Sequence, residues 1–421
     1  MQKQTTNNIT TIKTEKFKTT TIKIAFKAPL GRKTVTQRIL LANVLRNSSK
    51  KFGSKKVLNA HLENLYGANL AENAKKQGKV HIISFYMQVA NEKFLKSAPP
   101  LFEEALMTLK EVLMNPKIEN GAFDTAVVEQ EMRLLKEDIE SIYDDKTTYA
   151  LKKLLANMCE EENFGVSGDG YISDLELIDA KSLVAAYESM FWQDEIDIVV
   201  LGDVEHEEVV QLFESQFDLK YEMRANIAAV DKEEKVVNDV TVLQEEQLVN
   251  QTKLNIGYRT NTRIIDPDYF SLLVFNGVFG AFAHSKLFMN VREKESLCYY
   301  CASQLDNFKG LMYVYSGLDL AQVPKAIEII DKQLVDICCG NITENELTLA
   351  KKSIINAKRE SLDSASGMLS DLEMAGLLGL SVEGFIEKID SITADEVIHV
   401  AKKIKKDTIF TLKPCASKEE S

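Results

Sequence analysis

The sequence predicts an α+β protein made of two homologous lobes, each a mixed or antiparallel sheet with helices packed on one face. Three observations lead there. A pattern of strand, helix, β-rich run and long helix occurs twice; matching residues of the two copies keep a near-constant offset; and one polar stretch of little periodicity separates them. At 421 residues the chain is too long for one ordinary domain and comfortable for two or more.

Residues 17–30 (FKTTTIKIAFKAPL) set Ile22, Ile24 and Phe26 on one face against Lys23, Ala25 and Lys27 on the other, the alternation of a half-buried strand. Residues 251–260 (QTKLNIGYRT) alternate likewise at Leu254, Ile256 and Tyr258. After each comes a polar gap and an apolar helical run, 39–45 and then 272–279. Leu40 and Leu272 stand 232 positions apart, and Tyr66 and Tyr299, which close the next segment of each copy, stand 233 apart.

The β-rich runs 81–90 and 311–318 follow, each leading into a long helix, 100–114 and 324–337. Both helices open with Pro in the first turn, where its missing N–H costs nothing. The first half continues with a charged helix at 124–143, more helices to about 190, a strand at 196–201 and a helix at 206–217. The second mirrors it with a helix near 344–363, helices to about 405 and a last strand at 408–412. The expected organisation is a flexible N-terminus at 1–16, a lobe at 17–221, a solvated linker at 222–247, a second lobe at 248–413 and a tail at 414–421. Two similar lobes on one tether suit enclosing something between them.

Composition narrows the function. Lys and Arg total 51 against 63 Asp and Glu, a net charge of −12 with the cations scattered, which argues against a nucleic-acid partner. Apolar content of 45% and charged content of 27% are those of an ordinary folded protein. Six cysteines, two of them adjacent, outline no secreted disulfide framework and point to a reducing compartment. The first residues lack a signal-peptide core. The longest weakly polar run, 270–283, has 14 positions and is broken by Ser271 and Asn276, short of a bilayer span. The expectation is a soluble cytoplasmic protein with no membrane span.

No two of the five histidines (His61, His81, His206, His284, His399) lie three to five positions apart, so no helix offers a His pair to one metal. Cys298-Tyr-Tyr-Cys301 has the spacing of half a zinc knuckle or of a redox pair, but small-residue packing among tyrosines is the commoner cause. Gly277 and Gly280 do not form a phosphate loop; a helix break or a close backbone approach explains such a pair. Arg292 and Tyr299, seven positions apart across the end of an amphipathic helix and the start of a strand, could aim a cation and a phenol at one peptide carbonyl or oxyanion. On spacing alone, an ion pair to Glu293 or Glu295 beside a packed Tyr is the commoner arrangement.

The run LFMNVREKESLCYY at 287–300, with Ser285 before it and Phe308-Lys309-Gly310 and Ser316-Gly317 after it, resembles the second domain of pitrilysin-like (insulinase, or inverted-zinc-motif) metallopeptidases. So do residues 171–203, with Ile178-Asp179, Tyr187 and the ending Val199-Val200-Leu201-Gly202-Asp203. The resemblance spans about 17–412 and is nearest the branch of Gram-positive bacteria that lacks the zinc motif and accompanies a zinc-binding subunit.

Active members of that family carry His-x-x-Glu-His on the first helix and a Glu ligand on a later one. By position, the first motif falls here on Ile39, Ala42 and Asn43, and the later ligand on Asp138, with Glu131 earlier on that helix. His61-Leu-Glu63-Asn64 has part of the zinc motif but lies in the following segment without a second His. Metal, activated water and base are lost together. The family's substrate-carbonyl pair carries over to Arg292 and Tyr299.

The resemblance implies no cofactor in this chain and zinc in a partner subunit, the two forming a heterodimer. In that pair this chain supplies the Arg/Tyr pair and half of a peptide-enclosing chamber for peptide processing. The alternatives are an inactive peptide-binding or scaffold protein and an autonomous metallopeptidase using Asp138, Glu131 and His61.

Overall fold

The computed structural model describes residues 2–6, 8–96, 99–217 and 228–415. The chain opens with strands β1 (Gln2–Thr6), β2 (Ile9–Lys13) and β3 (Thr19–Pro29), then helices α1 (Val35–Asn47) and α2 (Lys55–Asn64). Strands β4 (Asn69–Gln77) and β5 (Val80–Ala90) lead to α3 (Leu101–Met114), the short pair β6 (Ile118–Glu119) and β7 (Ala122–Phe123), and α4 (Thr125–Asp144). After α5 (Lys146–Met158), α6 (Ile172–Leu175) and α7 (Ser182–Gln193) come β8 (Glu195–Gly202) and α8 (His206–Gln216).

The second part holds β9 (Thr241–Gln247), β10 (Thr252–Arg259), α9 (Tyr269–Asn276), β11 (Cys298–Asp306) and β12 (Leu311–Leu318). It continues with α10 (Val323–Cys338), α11 (Glu344–Ser361), α12 (Ala365–Leu378), α13 (Val382–Ser391) and α14 (Ala394–Ala401), and ends on β13 (Lys405–Pro414).

Two compact units result, and their sheets have one topology. The first sheet runs β1-β2-β8-β3-β5-β4 and the second β11-β12-β10-β13-β9. Read from the hairpin edge, β4, β5, β3, β8 and β2 match β11, β12, β10, β13 and β9 in order and in sense. In both, one parallel pair (β2 with β8, β9 with β13) closes an otherwise antiparallel sheet. The expected mixed, two-lobe α+β fold is the one found.

Both cores follow from alternation and helix periodicity. In the first unit Ile22, Ile24 and Phe26 of β3 pack with Leu40, Leu41 and Val44 of α1, and Phe26 meets Phe85 edge-on with centroids 6.2 Å apart. In the second, Leu254, Ile256 and Tyr258 of β10 pack with Phe275 and Phe279, whose rings stack at 5.3 Å. Lys23 and Ala25, expected on the outer face of β3, are also buried, the Lys23 ammonium lying 5.7 Å from the Tyr86 ring centre.

The expected boundaries differ from the structure in three places. Residues 2–6 and 9–13, expected as a flexible N-terminus, are strands: Ile9 and Ile12 are buried, β2 pairs with β8 from Ile9↔Ile198 onward, and the His206 ring bonds the hydroxyls of Thr6 and Thr11. The expected linker contains β9, the matching first strand of the second sheet. The start of that linker, 222–227, and tail residues 416–421 lie outside the described residues.

Third, residues 142–165, sequentially in the first half, belong to the second unit, which comprises Ile142–Gly165 and Ala229–Ser421; the first comprises Met1–Ser141 and Val166–Ala228. The reason is α5, whose Ala150, Leu154 and Met158 are buried among Tyr313, Phe410, Leu412 and Leu311. Gly257 of β10 admits it, since a Cβ there would stand 2.6 Å from the Met158 sulfur. Charges fasten the same segment. Arg259 donates to Glu162 at 2.6 Å, to Asp407 at 2.8 Å and to the Met158 carbonyl at 2.7 Å, while Lys309 pairs with Glu162 and, at 2.7 Å, with Asp231. No helix among the described residues is long and apolar enough to cross a membrane.

Candidate functional site

In the first unit the positions expected to descend from a zinc motif sit on α1. Ile39 and Ala42 are 8% and 2% exposed and lie in the apolar core; Asn43 is half-buried, its carbonyl accepting from the Asn47 amide at 2.9 Å. Asp138, two turns beyond Glu131 on α4, is exposed. Glu131 is buried, and burial pushes its carboxyl above the ordinary range. His61 bonds Thr108 at 2.8 Å, lies tilted against Phe52 with ring centres 4.8 Å apart, and is held below its usual range by burial.

Asp138, Glu131 and His61 thus have separate surroundings. Among the described residues no group of three or more His, Cys, Asp or Glu side chains could hold a metal. The residues at the motif positions do not fit zinc: an isoleucine and an alanine in the core offer no donor atom.

The second unit carries the other candidate. Beyond α9 the chain makes two wide π-helical turns, Gly277–Ala281 and Phe288–Lys294, where an ordinary helix end was expected. Such turns recur at functional sites. The second is anchored by the Asn290 amide, which donates to the Lys286 carbonyl at 2.9 Å and to Gln333 at 3.0 Å, and by Lys286 paired with Glu346 at 2.8 Å.

Arg292 projects from that turn. Its guanidinium lies 4.6 Å from the Phe288 ring centre and its Nε 3.8 Å from Glu293, with the side chain 41% exposed. Both the cation and the expected ion-pair partner are therefore present, and solvent leaves that pair weak. The turn ends at Ser296, held at φ 52°, before β11 begins.

Beside Arg292 is a cavity of about 250 Å³, walled by Phe282, Phe288, Tyr300, Cys301 and Tyr315. Two glycines shape it. A Cβ at Gly280 would come within 2.4 Å of the Ser303 hydroxyl, and one at Gly317 within 2.6 Å of the Tyr300 ring. The close-approach reading of Gly280 holds.

Tyr299 stands apart from this wall. It is the extra residue of a bulge, since Cys298 faces Leu318 and Tyr300 faces Gly317, and its side chain is 74% exposed. The phenol inside the cavity wall is Tyr300, 6.1 Å from Tyr315 and 3.5 Å from the Thr147 hydroxyl. Spacing alone could not separate Tyr299 from Tyr300, because a bulge reverses which of two neighbours faces inward. The sequence sign was the doublet itself, followed by β-branch-poor Cys-Ala-Ser.

Comparison with known proteins adds to this geometry. Residues 178–354 match the family model described as Peptidase M16 inactive domain. The chain is 37% identical over 404 residues to the probable inactive metalloprotease YmfF of Bacillus subtilis, covering 96% of this chain and 94% of that one. It is 22% identical over 291 residues to the uncharacterized zinc protease YmxG of the same bacterium, covering 68% and 69% of the two chains. Its fold superposes with a TM-score of 0.90 on the crystal structure of a conserved protein from Enterococcus faecalis, at 33% identity and 98% and 97% coverage.

Proposed function

The chain belongs to the peptidase M16 family as one of its inactive members, and from that premise we propose that it is the zinc-free subunit of a two-chain zinc endopeptidase. In this reading a zinc-bearing M16 chain supplies metal and base, and this chain supplies half of the chamber enclosing the peptide. Arg292, with Tyr299, donates hydrogen bonds to the substrate carbonyl as its oxygen gathers charge. The cytoplasm is the proposed compartment, in keeping with the low cysteine count.

The observation that carries the proposal is an asymmetry between the units. On α1, two of the three positions matched to the zinc motif, Ile39 and Ala42, lie in the core, while the second unit has Arg292 beside a cavity. A chain with no remaining part in peptide chemistry has no need of that cation at an apolar wall. The chain's similarity to both a probable inactive metalloprotease and an uncharacterized zinc protease of one bacterium supports a pairing of two such chains.

The test is cleavage of unstructured peptides by this chain, by a zinc-bearing M16 chain of the same organism, and by the two mixed. Cleavage is expected only in the mixture, and Arg292→Ala should lower kcat there about ten- to a thousandfold. An equal rate without this chain would exclude the clamp role. If Arg292→Ala weakens peptide binding and leaves kcat unchanged, the chain is a peptide-holding scaffold instead.

A further inference from the structure

The bulge that turns Tyr299 outward has a second effect on β11. Residues three apart on a regular strand point to opposite faces. Here Cys298 faces Leu318 and Cys301 faces Ser316, two ladder positions apart, so the extra residue brings both thiols to one face. Cys301 is 2% exposed and walls the Arg292 cavity, whereas Cys298 is only half-buried. Each thiol acts on the other's charge, the Cys301 S–H favouring the ionised form of Cys298.

We infer that Cys298 and Cys301 form a reversible dithiol–disulfide site, oxidised by small-molecule disulfides, with Cys298 the sulfur that reacts first. The bulge supplies the common face, the burial difference sets the order, and the separation of two ladder positions sets the second thiol beside the first. The surrounding charge agrees. The neighbouring Cys301 S–H, together with the positive charge of Arg292, draws the Cys298 thiol down to about 7, while Cys301 is pushed up by Cys298 and by burial.

In the first step the Cys298 thiolate attacks one sulfur of a disulfide RSSR; the S–S bond breaks, RS⁻ leaves, and a mixed disulfide forms on Cys298. In the second, Cys301 gives up its proton to the expelled thiolate and attacks the Cys298 sulfur, releasing a second RS⁻, which takes a proton from solvent. Two cysteine thiols are oxidised to one disulfide and RSSR is reduced to two RSH. Closure ties down the bulge that displays Tyr299. The inference stands whether or not the chain serves a peptidase.

The experiment treats the native full-length chain with oxidised glutathione, blocks remaining thiols with iodoacetamide in denaturant, and reads the peptide containing residues 298–301 by mass spectrometry. The expected peptide has lost two hydrogens and carries no alkyl group, and dithiothreitol restores double alkylation. Cys301→Ser should stop at a glutathione adduct on Cys298, and Cys298→Ser should leave Cys301 unmodified by glutathione. Thermal melting of both variants checks that they fold, and the native-chain result stands even if they do not. A native chain that stays doubly alkylated, or that retains glutathione on Cys298 without closing, overturns the inference.

Discussion

At the residue scale, the histidines show how little a side chain's identity says before its surroundings are known. His81 is fully buried, its Nδ1 accepting from the Arg38 Nε at 3.3 Å, while Arg38 also pairs with Asp194 at 2.6 Å. Burial, helped by the Arg38 charge, draws its imidazole down to about 4. An unfolded histidine titrates near 6.5, so on acidification the unfolded chain takes up this proton first. The folded state should therefore keep its full stability above about pH 6.5 and lose about 3 kcal/mol between there and pH 4. His81→Gln, which retains an acceptor for Arg38, is expected to flatten that loss when urea midpoints at pH 7 and pH 4.5 are compared. An unchanged slope would mean that His81 does not control it. None of this was legible in the sequence, where His81 only opened a β-rich run; burial and a guanidinium from a residue 43 positions earlier create the effect.

At the scale of elements, strands and helices with strong periodicity were legible and edge strands were not. β3, β10, β5 and β12 announce themselves because one face is a row of Ile, Leu, Val, Phe and Tyr. β9 (TVLQEEQ) is mostly exposed and carries charge, as an edge strand should to resist pairing with foreign chains, so its composition reads as linker. The same applies to β1, exposed at residues 3–6, whereas β2 is an inner strand with Ile9, Thr11 and Ile12 buried, and its short Thr-rich run showed no clear alternation. Helix α5 was legible as a helix but not as a part of the second unit, because its partners lie about a hundred or more positions away. The ion network predicts how firmly it is held. Lys309→Met leaves Glu162 and Asp231 buried without that ammonium and should destabilise the second unit by about 3–5 kcal/mol. Hydrogen exchange should then accelerate across residues 142–165, and a local effect confined to the loop at 309 would contradict the assignment.

At the scale of the whole molecule, duplication was the most readable property, because repeated order survives where individual residues diverge. The match by topology is firmer than the match by residue: Tyr66, at φ 57° before β4, corresponds in place to Ser296, at φ 52° before β11, rather than to Tyr299. The absence of a His-x-x-Glu-His run was visible in the sequence; which of Tyr299 and Tyr300 enters the cavity was not, since it depends on one inserted residue in a ladder. The division of the chain yields a further prediction. A fragment of residues 248–413 alone lacks α5 and should present Tyr313, Phe410 and Leu412 to water, binding the dye ANS strongly. Adding a peptide of residues 142–165 should reduce that signal, and a fragment that is monomeric and dye-free without it would refute the division.

On the proposed descent of helix α1 from a zinc-binding helix, the departure from metal chemistry is self-locking. With Ile39 and Ala42 now filling space in the interior, each step back toward imidazole or carboxylate would insert a polar group among close-packed hydrocarbon before any ion could repay it. A lineage that has gone this way meets an uphill road home, and selection on such a chain acts on what its other half still offers.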